Sequence, residues 1–269
     1  MTKKEIVELL YKKCKEKKIF EFDNDFVKKI LAEVGSSTNP YDITKLDNSS
    51  KYPESLKKEN VALIHIGGGK HKFIPYFNKL YPEFEEIDDT EKIDFLYRPS
   101  ILNDFSISES SILSTAFNHR IIHDFLYSDI VANPKIYISE RKRGLNFEYF
   151  IGKEKLYFDN LQIEIDLTVE YNGYVTVFEA KNVNKNWIND FNIYQIYNPF
   201  RYYYDLKLKN KIDIKDILAG YLLRKKEKDC SVIRLYLYTF DNYKDITSLR
   251  LIKKREYKLK RRNIDTIFK

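Results

Sequence analysis

The sequence predicts a mixed α/β (α+β) fold in which a mixed sheet is flanked by helices. Three observations predict it. β-Rich alternating runs flank an Asn172-Gly173 pair, the strongest short-range hairpin signal. Residues 3–17 and 106–127 carry apolar side chains at helical spacing. Residues 232–240 alternate as a central strand does.

From the amino end, Ile6, Leu9, Leu10 and Cys14 recur among lysines and predict an amphipathic helix over 3–17. A second helix is predicted over 25–34, with Asp23 or Asn24 as its cap and Gly35 as its stop. Residues 35–40 read as a loop, and Pro53 at a first turn predicts a short helix over 53–59. Strands are predicted at 61–66 and 70–74 around Gly67, Gly68 and Gly69. Three short helices and a Gly-tipped basic hairpin describe a small winged-helix-like module over 1–80, whose His65, Lys70, His71 and Lys72 would meet phosphates. A plain α+β subdomain with an exposed basic hairpin fits the same residues. The spacing of a nucleotide-binding loop fails at Gly67 to Lys70, where His71 replaces Ser or Thr, so no nucleotide cofactor is expected.

Residues 81–104, rich in breakers such as Pro82, Pro99 and Asn103, predict a linker. The remaining unit, 105–269, opens on a Ser106-x-x-Glu109 capping box and a helix with Leu113, Phe117, Ile121 and Phe125 on its buried stripe. Strands follow at 135–138 and 147–150 around a basic turn of Arg141, Lys142 and Arg143. After the Asn-Gly hairpin, a helix is predicted over 190–206 with a bend at Pro199. Residues 249–262 read as an edge strand with a basic face, or as a solvated charged tail.

The chain has 269 residues, 43% of them hydrophobic, which suits a soluble globular protein with one large core or two modest ones. No apolar run approaches the roughly 18 residues of a membrane span. The amino terminus alternates charge where a signal peptide would be apolar, and the Lys-, Asn- and Ile-rich composition looks AT-biased, so an intracellular, cytoplasmic, prokaryotic protein without membrane contact is expected. Cys14 and Cys230 support neither a disulfide framework nor a zinc site. A net charge of +7 predicts attraction to polyanions such as nucleic acid.

The hairpin carries the chemistry. A two-residue loop sets Tyr171 opposite Tyr174 and Leu167 opposite Phe178, and the same register sets Asp166 opposite Glu179 and Glu164 opposite Lys181. The strand period puts Glu164, Asp166, Glu179 and Lys181 on one face, with Ile165, Leu167, Val169, Phe178 and Ala180 on the other. Like charges directly opposite destabilise a sheet, and a divalent cation removes that conflict.

Asp166, a short hairpin and then Glu179-Ala180-Lys181 resemble the PD-(D/E)xK nuclease superfamily, with Ile165 in place of the family's leading proline. The resemblance implies a restriction-endonuclease-like core in which Asp166, Glu179 and Lys181 are catalytic. It implies Mg²⁺ held by Asp166, Glu179 and the Ala180 carbonyl, with Lys181 as base or as electrostatic anchor. Relatives can add an acid from the preceding helix, here Glu109 if it is not simply a cap, and a Gln or Tyr from the following one. Gln195 and Tyr194 match that place, although Pro199 breaks the Gln-x-x-x-Tyr pattern. Glu164 is a further acidic candidate. The plan looks most like a type II restriction endonuclease: Mg²⁺-dependent, sequence-specific cleavage of double-stranded DNA by a homodimer, with Lys70, His71, Lys72, Arg141, Lys142 and Arg143 on the DNA. A structure-specific repair or junction nuclease and a catalytically silent DNA-binding protein are the alternatives.

Overall fold

The computed structural model describes residues 1–95, 109–228 and 230–260. Its amino-terminal part runs α1 (Lys3–Lys17), β1 (Glu21–Asp23), α2 (Asn24–Glu33), α3 (Pro40–Thr44), α4 (Glu54–Lys58), β2 (Val61–Gly67) and β3 (Lys70–Pro75). Thr2 and Glu5 close a capping box on α1, and Asp23 caps α2 by accepting the Phe26 N–H. Two elements of this part escape the sequence reading. β1 is only three residues long and takes its bonds from β3, and α3 begins at Pro40 within the expected loop, capped by Asn39. The strands pair in the order β1-β3-β2, all antiparallel.

After α5 (Phe77–Leu80), the segment read as a linker packs on the main unit near its start and joins the main sheet at Lys92–Phe95. Glu83 bridges to Asp190, Phe84 packs on Phe191, Tyr221 and Tyr236, and β4 (Lys92–Phe95) pairs parallel to a later strand. Aromatic burial fixes this segment in place of the helical or strand periodicity that its sequence lacks. The rest of the expected linker and Ser106 of the capping box lie outside the described residues.

The helix expected to about residue 127 is two, α6 (Glu109–Asn118) and α7 (Ile121–Tyr127), because Arg120 between them takes a left-handed φ of 63°. Leu113, Ile121 and Phe125 are nonetheless buried together. The hairpin strands β5 (Lys135–Ile151), β6 (Glu154–Tyr171) and β7 (Tyr174–Val183) follow, then α8 (Tyr194–Leu208), β8 (Asp216–Lys226), β9 (Cys230–Phe240) and β10 (Leu249–Lys260). Arg141, Lys142 and Arg143 form no turn. They lie inside β5, which absorbs the irregularity as register shifts between Lys142 and Phe147, around Gly144 with its φ of +67°.

The seven strands pair in the order β4-β10-β9-β8-β7-β6-β5, and β4 flanks β10 only from Glu256 to Leu259, so that stretch lies inside the sheet while residues 249–255 form its edge, as expected. Arg261 and Arg262 of the expected basic tail lie outside the described residues. The β7–β8 pair is parallel and connected through α8, while β5, β6 and β7 form an antiparallel meander, so the sheet is mixed.

Alternation sorts the two faces. Val177, Tyr221, Leu223, Tyr236 and Tyr238 face a core that also holds Leu10 and Leu31 of the amino-terminal helices and Tyr197 of α8. Phe178, Ala180, Leu222, Leu235 and Leu237 face α6 and α7. Glu179 and Lys181 thus emerge on the α8 side. Trp187, the chain's single tryptophan, follows β7 and lies with Arg234 4.0 Å and Lys225 4.9 Å from its ring centre.

The contact between β7 and β8 depends on one missing side chain. A Cβ on Gly220 would stand 2.2 Å from the Phe178 ring. Gly220→Val is expected to cost about 2 kcal/mol or more by displacing that ring, and a urea melt checks it. No helix among the described residues is long and apolar enough to cross a membrane.

Candidate active site

The hairpin turn has the geometry its two residues require, with φ of 53° at Asn172 and 84° at Gly173. The β6–β7 ladder runs from Tyr171↔Tyr174 to Leu167↔Phe178 and stops there, one pair short of the direct Asp166–Glu179 pairing that the sequence register implies. Beyond it a side chain replaces the ladder. The Ala180 N–H donates to Asp166 Oδ2 at 2.9 Å, so Asp166 reaches across to β7. A carboxylate accepting a backbone amide is worth more than a neutral pair.

Glu179 is 8% exposed and carries two donors on Oε1: the Lys181 ammonium at 2.7 Å and the Gln195 amide at 2.5 Å. Gln195 comes from the first turn of α8, and its own carbonyl accepts the Tyr221 hydroxyl at 3.3 Å. A chain from β8 through α8 to β7 therefore orients Glu179. Pro199 sits inside α8, one turn beyond Gln195, and lines the same cavity.

That cavity has a volume of about 530 Å³. Asp166, Glu179 and Lys181 occupy one wall, and the amino-terminal part supplies another through Tyr41, His65 and the β2–β3 hairpin. The hairpin tip presses against β6: a Cβ on Gly67 would fall 1.7 Å from the Asp159 carbonyl oxygen. Only glycine permits this approach at a φ of +92°.

The remaining candidates are placed differently. Lys70 is exposed at the tip and lines the cavity, while Lys72 pairs with Glu154 at 2.7 Å. His71 is no phosphate ligand in this arrangement: it is 1% exposed, with Nε2 2.8 Å from Asn24 Oδ1 and its ring 4.5 Å from that of His65. Strand alternation turns His71 inward between Lys70 and Lys72. On β5, Arg141 pairs with Glu164, Lys142 with Glu140 at 2.9 Å, and Arg143 with Gln162 at 3.1 Å. Glu164 is exposed and lines the cavity beside Asp166. The Glu109 side chain lies outside the described residues.

Among the described residues no cluster of three or more His, Cys, Asp or Glu side chains is arranged to hold a metal. Two carboxylates recessed in a polar cavity nonetheless fit Mg²⁺, which usually takes one or two and fills its shell with water and phosphate oxygen.

Residues 77–258 match the family described as Domain of unknown function (DUF6997), and residues 4–73 match Domain of unknown function (DUF6996). The chain belongs to the DUF6997 family. No curated protein and no solved structure matches it. The DUF6997 segment contains Asp166, Glu179, Lys181, Gln195 and Tyr221, whereas Tyr41 and His65 lie in the DUF6996 segment, so the cavity joins the two.

Sequence reasoning missed Tyr221 and Tyr41. Tyr221 sits in an unbroken apolar run, Ile217 to Leu223, which signals a buried parallel strand without revealing the one hydroxyl that turns toward Gln195. Tyr41 carries no local signal, since only tertiary contact places it here.

Burial holds the paired histidines neutral. It pushes His65 down to about 4 and His71 to about 3, with Lys45 near the first and His65 itself near the second adding to the effect. Folded-state values below the ordinary one near 6.5 mean that the unfolded chain binds more protons in between, so this stability is complete above about pH 6.5 and is lost as pH falls toward 4. At pH 5 the loss is on the order of 2 kcal/mol per histidine. Urea midpoints at pH 7 and pH 5 should fall further apart in the DUF6997 protein than in its His65→Gln/His71→Gln variant.

Proposed function

We propose that the protein hydrolyses phosphodiester bonds of double-stranded DNA in a Mg²⁺-dependent, sequence-specific reaction, as a type II restriction endonuclease does. One observation carries this reading. Asp166 and Glu179, from adjacent strands of a mixed sheet with helices on both faces, meet in one cavity with Lys181 bonded to Glu179 and Gln195 supporting it.

Asp166, Glu179 and the Ala180 carbonyl would hold the cation. When bound, Mg²⁺ would supply positive charge at the phosphate and lower the pKa of water there. The chain does the rest. The Ala180 amide fixes the Asp166 carboxylate, and Gln195, itself held by Tyr221, fixes Glu179. The Lys181 ammonium stands where it can offset charge gathering on a phosphate in the transition state. Burial of Glu179 shields its bond to Lys181 from bulk water, which strengthens it.

The amino-terminal helices followed by a Gly-tipped hairpin, with β1 closing the sheet beside β3, support a winged-helix-like module. Its wing leans on β6, so the basic tip at Lys70 is presented at the cavity mouth. A homodimer would let two such sites address a palindrome. A structure-specific nuclease built on the same core is the second reading, and the depth of Glu179 favours it, because a continuous duplex reaches a recessed pair poorly.

Incubation of the purified protein with unmodified phage DNA and Mg²⁺ tests the proposal. Discrete fragments, absent with a chelator, are expected. A smear, or cleavage confined to junctions and frayed ends, favours the second reading, and DNA left intact at every site and structure overturns both.

A further inference from the structure

Resting on that nuclease reading, the geometry points to a nucleobase pocket opposite the acidic pair: we propose that the cavity takes one unstacked nucleotide of the DNA strand, its phosphate toward Asp166 and Glu179 and its base against Tyr41 and His65.

Size is the first reason. A cavity of about 530 Å³ is the scale of small-molecule sites, far below what a duplex needs. Enzymes that work on a recessed nucleotide use single-stranded DNA or draw the nucleotide out of the stack. Wall chemistry is the second. Tyr41 is 51% exposed, its ring lies 5.1 Å from that of His65, and Lys45 stands 5.9 Å from the Tyr41 ring centre. An exposed ring beside a cation is a stacking platform for a base of a polyanion.

Hydrogen-bonding capacity is the third. His71 Nδ1, His65 Nε2 and the Tyr194 hydroxyl have no hydrogen-bond partner among the described residues, and all three residues line the cavity. Because His71 donates from Nε2 to Asn24, its neutral ring leaves Nδ1 as an acceptor, while the Tyr194 hydroxyl can donate or accept. A phosphate offers acceptors alone. A base edge offers donors and acceptors together and so matches this set. All three atoms are buried in the cavity wall, so a base stacked on Tyr41 pairs with them once the side chains that cover them shift.

The test uses the fluorescent nucleotide 2-aminopurine deoxyriboside 5′-monophosphate with the full chain in Ca²⁺. Binding should quench its emission by stacking. Competing 2-deoxyribose 5-phosphate should bind at least about tenfold more weakly, and Tyr41→Ala, with an unchanged circular dichroism spectrum, should weaken the nucleotide by about fivefold or more. Equal competition by the baseless sugar phosphate, no quenching at millimolar nucleotide, or a Tyr41→Ala affinity equal to the wild type overturns the pocket. DNA cleavage is scored separately. A nucleotide bound through Tyr41 by a protein that cuts no DNA leaves the pocket standing and removes the nuclease reading. Mg²⁺-dependent cutting with no base preference removes the pocket alone.

Discussion

Asp166→Asn and Glu179→Gln should each lower Mg²⁺-dependent DNA cleavage by roughly a thousandfold, the scale on which loss of one electrostatic contact to a transition state is measured. The amide replacements are chosen for what they keep. Asparagine at 166 still offers an oxygen to the Ala180 N–H, and glutamine at 179 still offers one to Gln195, so melting temperatures should stay within a few degrees of the wild type. Asp166→Ala behaves differently. It leaves the Ala180 amide without its acceptor at the point where the ladder ends, and should cost on the order of 2 kcal/mol in addition to activity. Turnover near the wild-type value in the folded Asp166→Asn protein, with the same product ends, would show that this carboxylate does not serve the reaction.

Gly67→Ala should have the largest effect on the architecture. Its Cβ would fall 1.7 Å from a backbone oxygen on β6, which no rotamer change relieves, and its φ of +92° is strained for any L side chain. The β2–β3 hairpin must then lift away from β6, opening the cavity between its two walls. A loss of about 3 kcal/mol or more in a urea melt is expected, together with weakened DNA binding. Gly68→Asn is the control. Gly68 is exposed, a Cβ there would be 3.9 Å from the same oxygen, and asparagine tolerates its φ of +55°. Equal stability of the two variants would mean that the hairpin does not depend on its seat on β6.

Local chemistry made much of this molecule legible. The Asn172-Gly173 pair fixes the register of β6 against β7, and helical spacing with Asp23 as cap and Gly35 as stop marks α2. Elements stabilised by distant partners were not legible. β8 is an apolar run without period because both of its faces are buried, and β4 is four residues long and takes its bonds from β10. The candidate site divides in the same way. Asp166, Glu179 and Lys181 follow from alternation around the turn, and alternation also puts His71 inward, which the reading of a basic hairpin overlooked. That Tyr41 should share a cavity with Glu179, far along the chain, follows from long-range contacts such as the Gly67 tip against Asp159 and the Asn192 amide donating to the Leu46 carbonyl.

Trp187 gives the protein an optical reporter of its own. The sole indole of the chain stands a few residues past Lys181, against two cations carried by β8 and β9, and neighbouring charge governs the colour and yield of its emission. Excitation selective for tryptophan therefore reads one known place in a molecule with 22 tyrosines. Any ligand that pulls on β7, or shifts Arg234 from its position 4.0 Å from the ring centre, registers as a change in that single emission, without a dye or an added label.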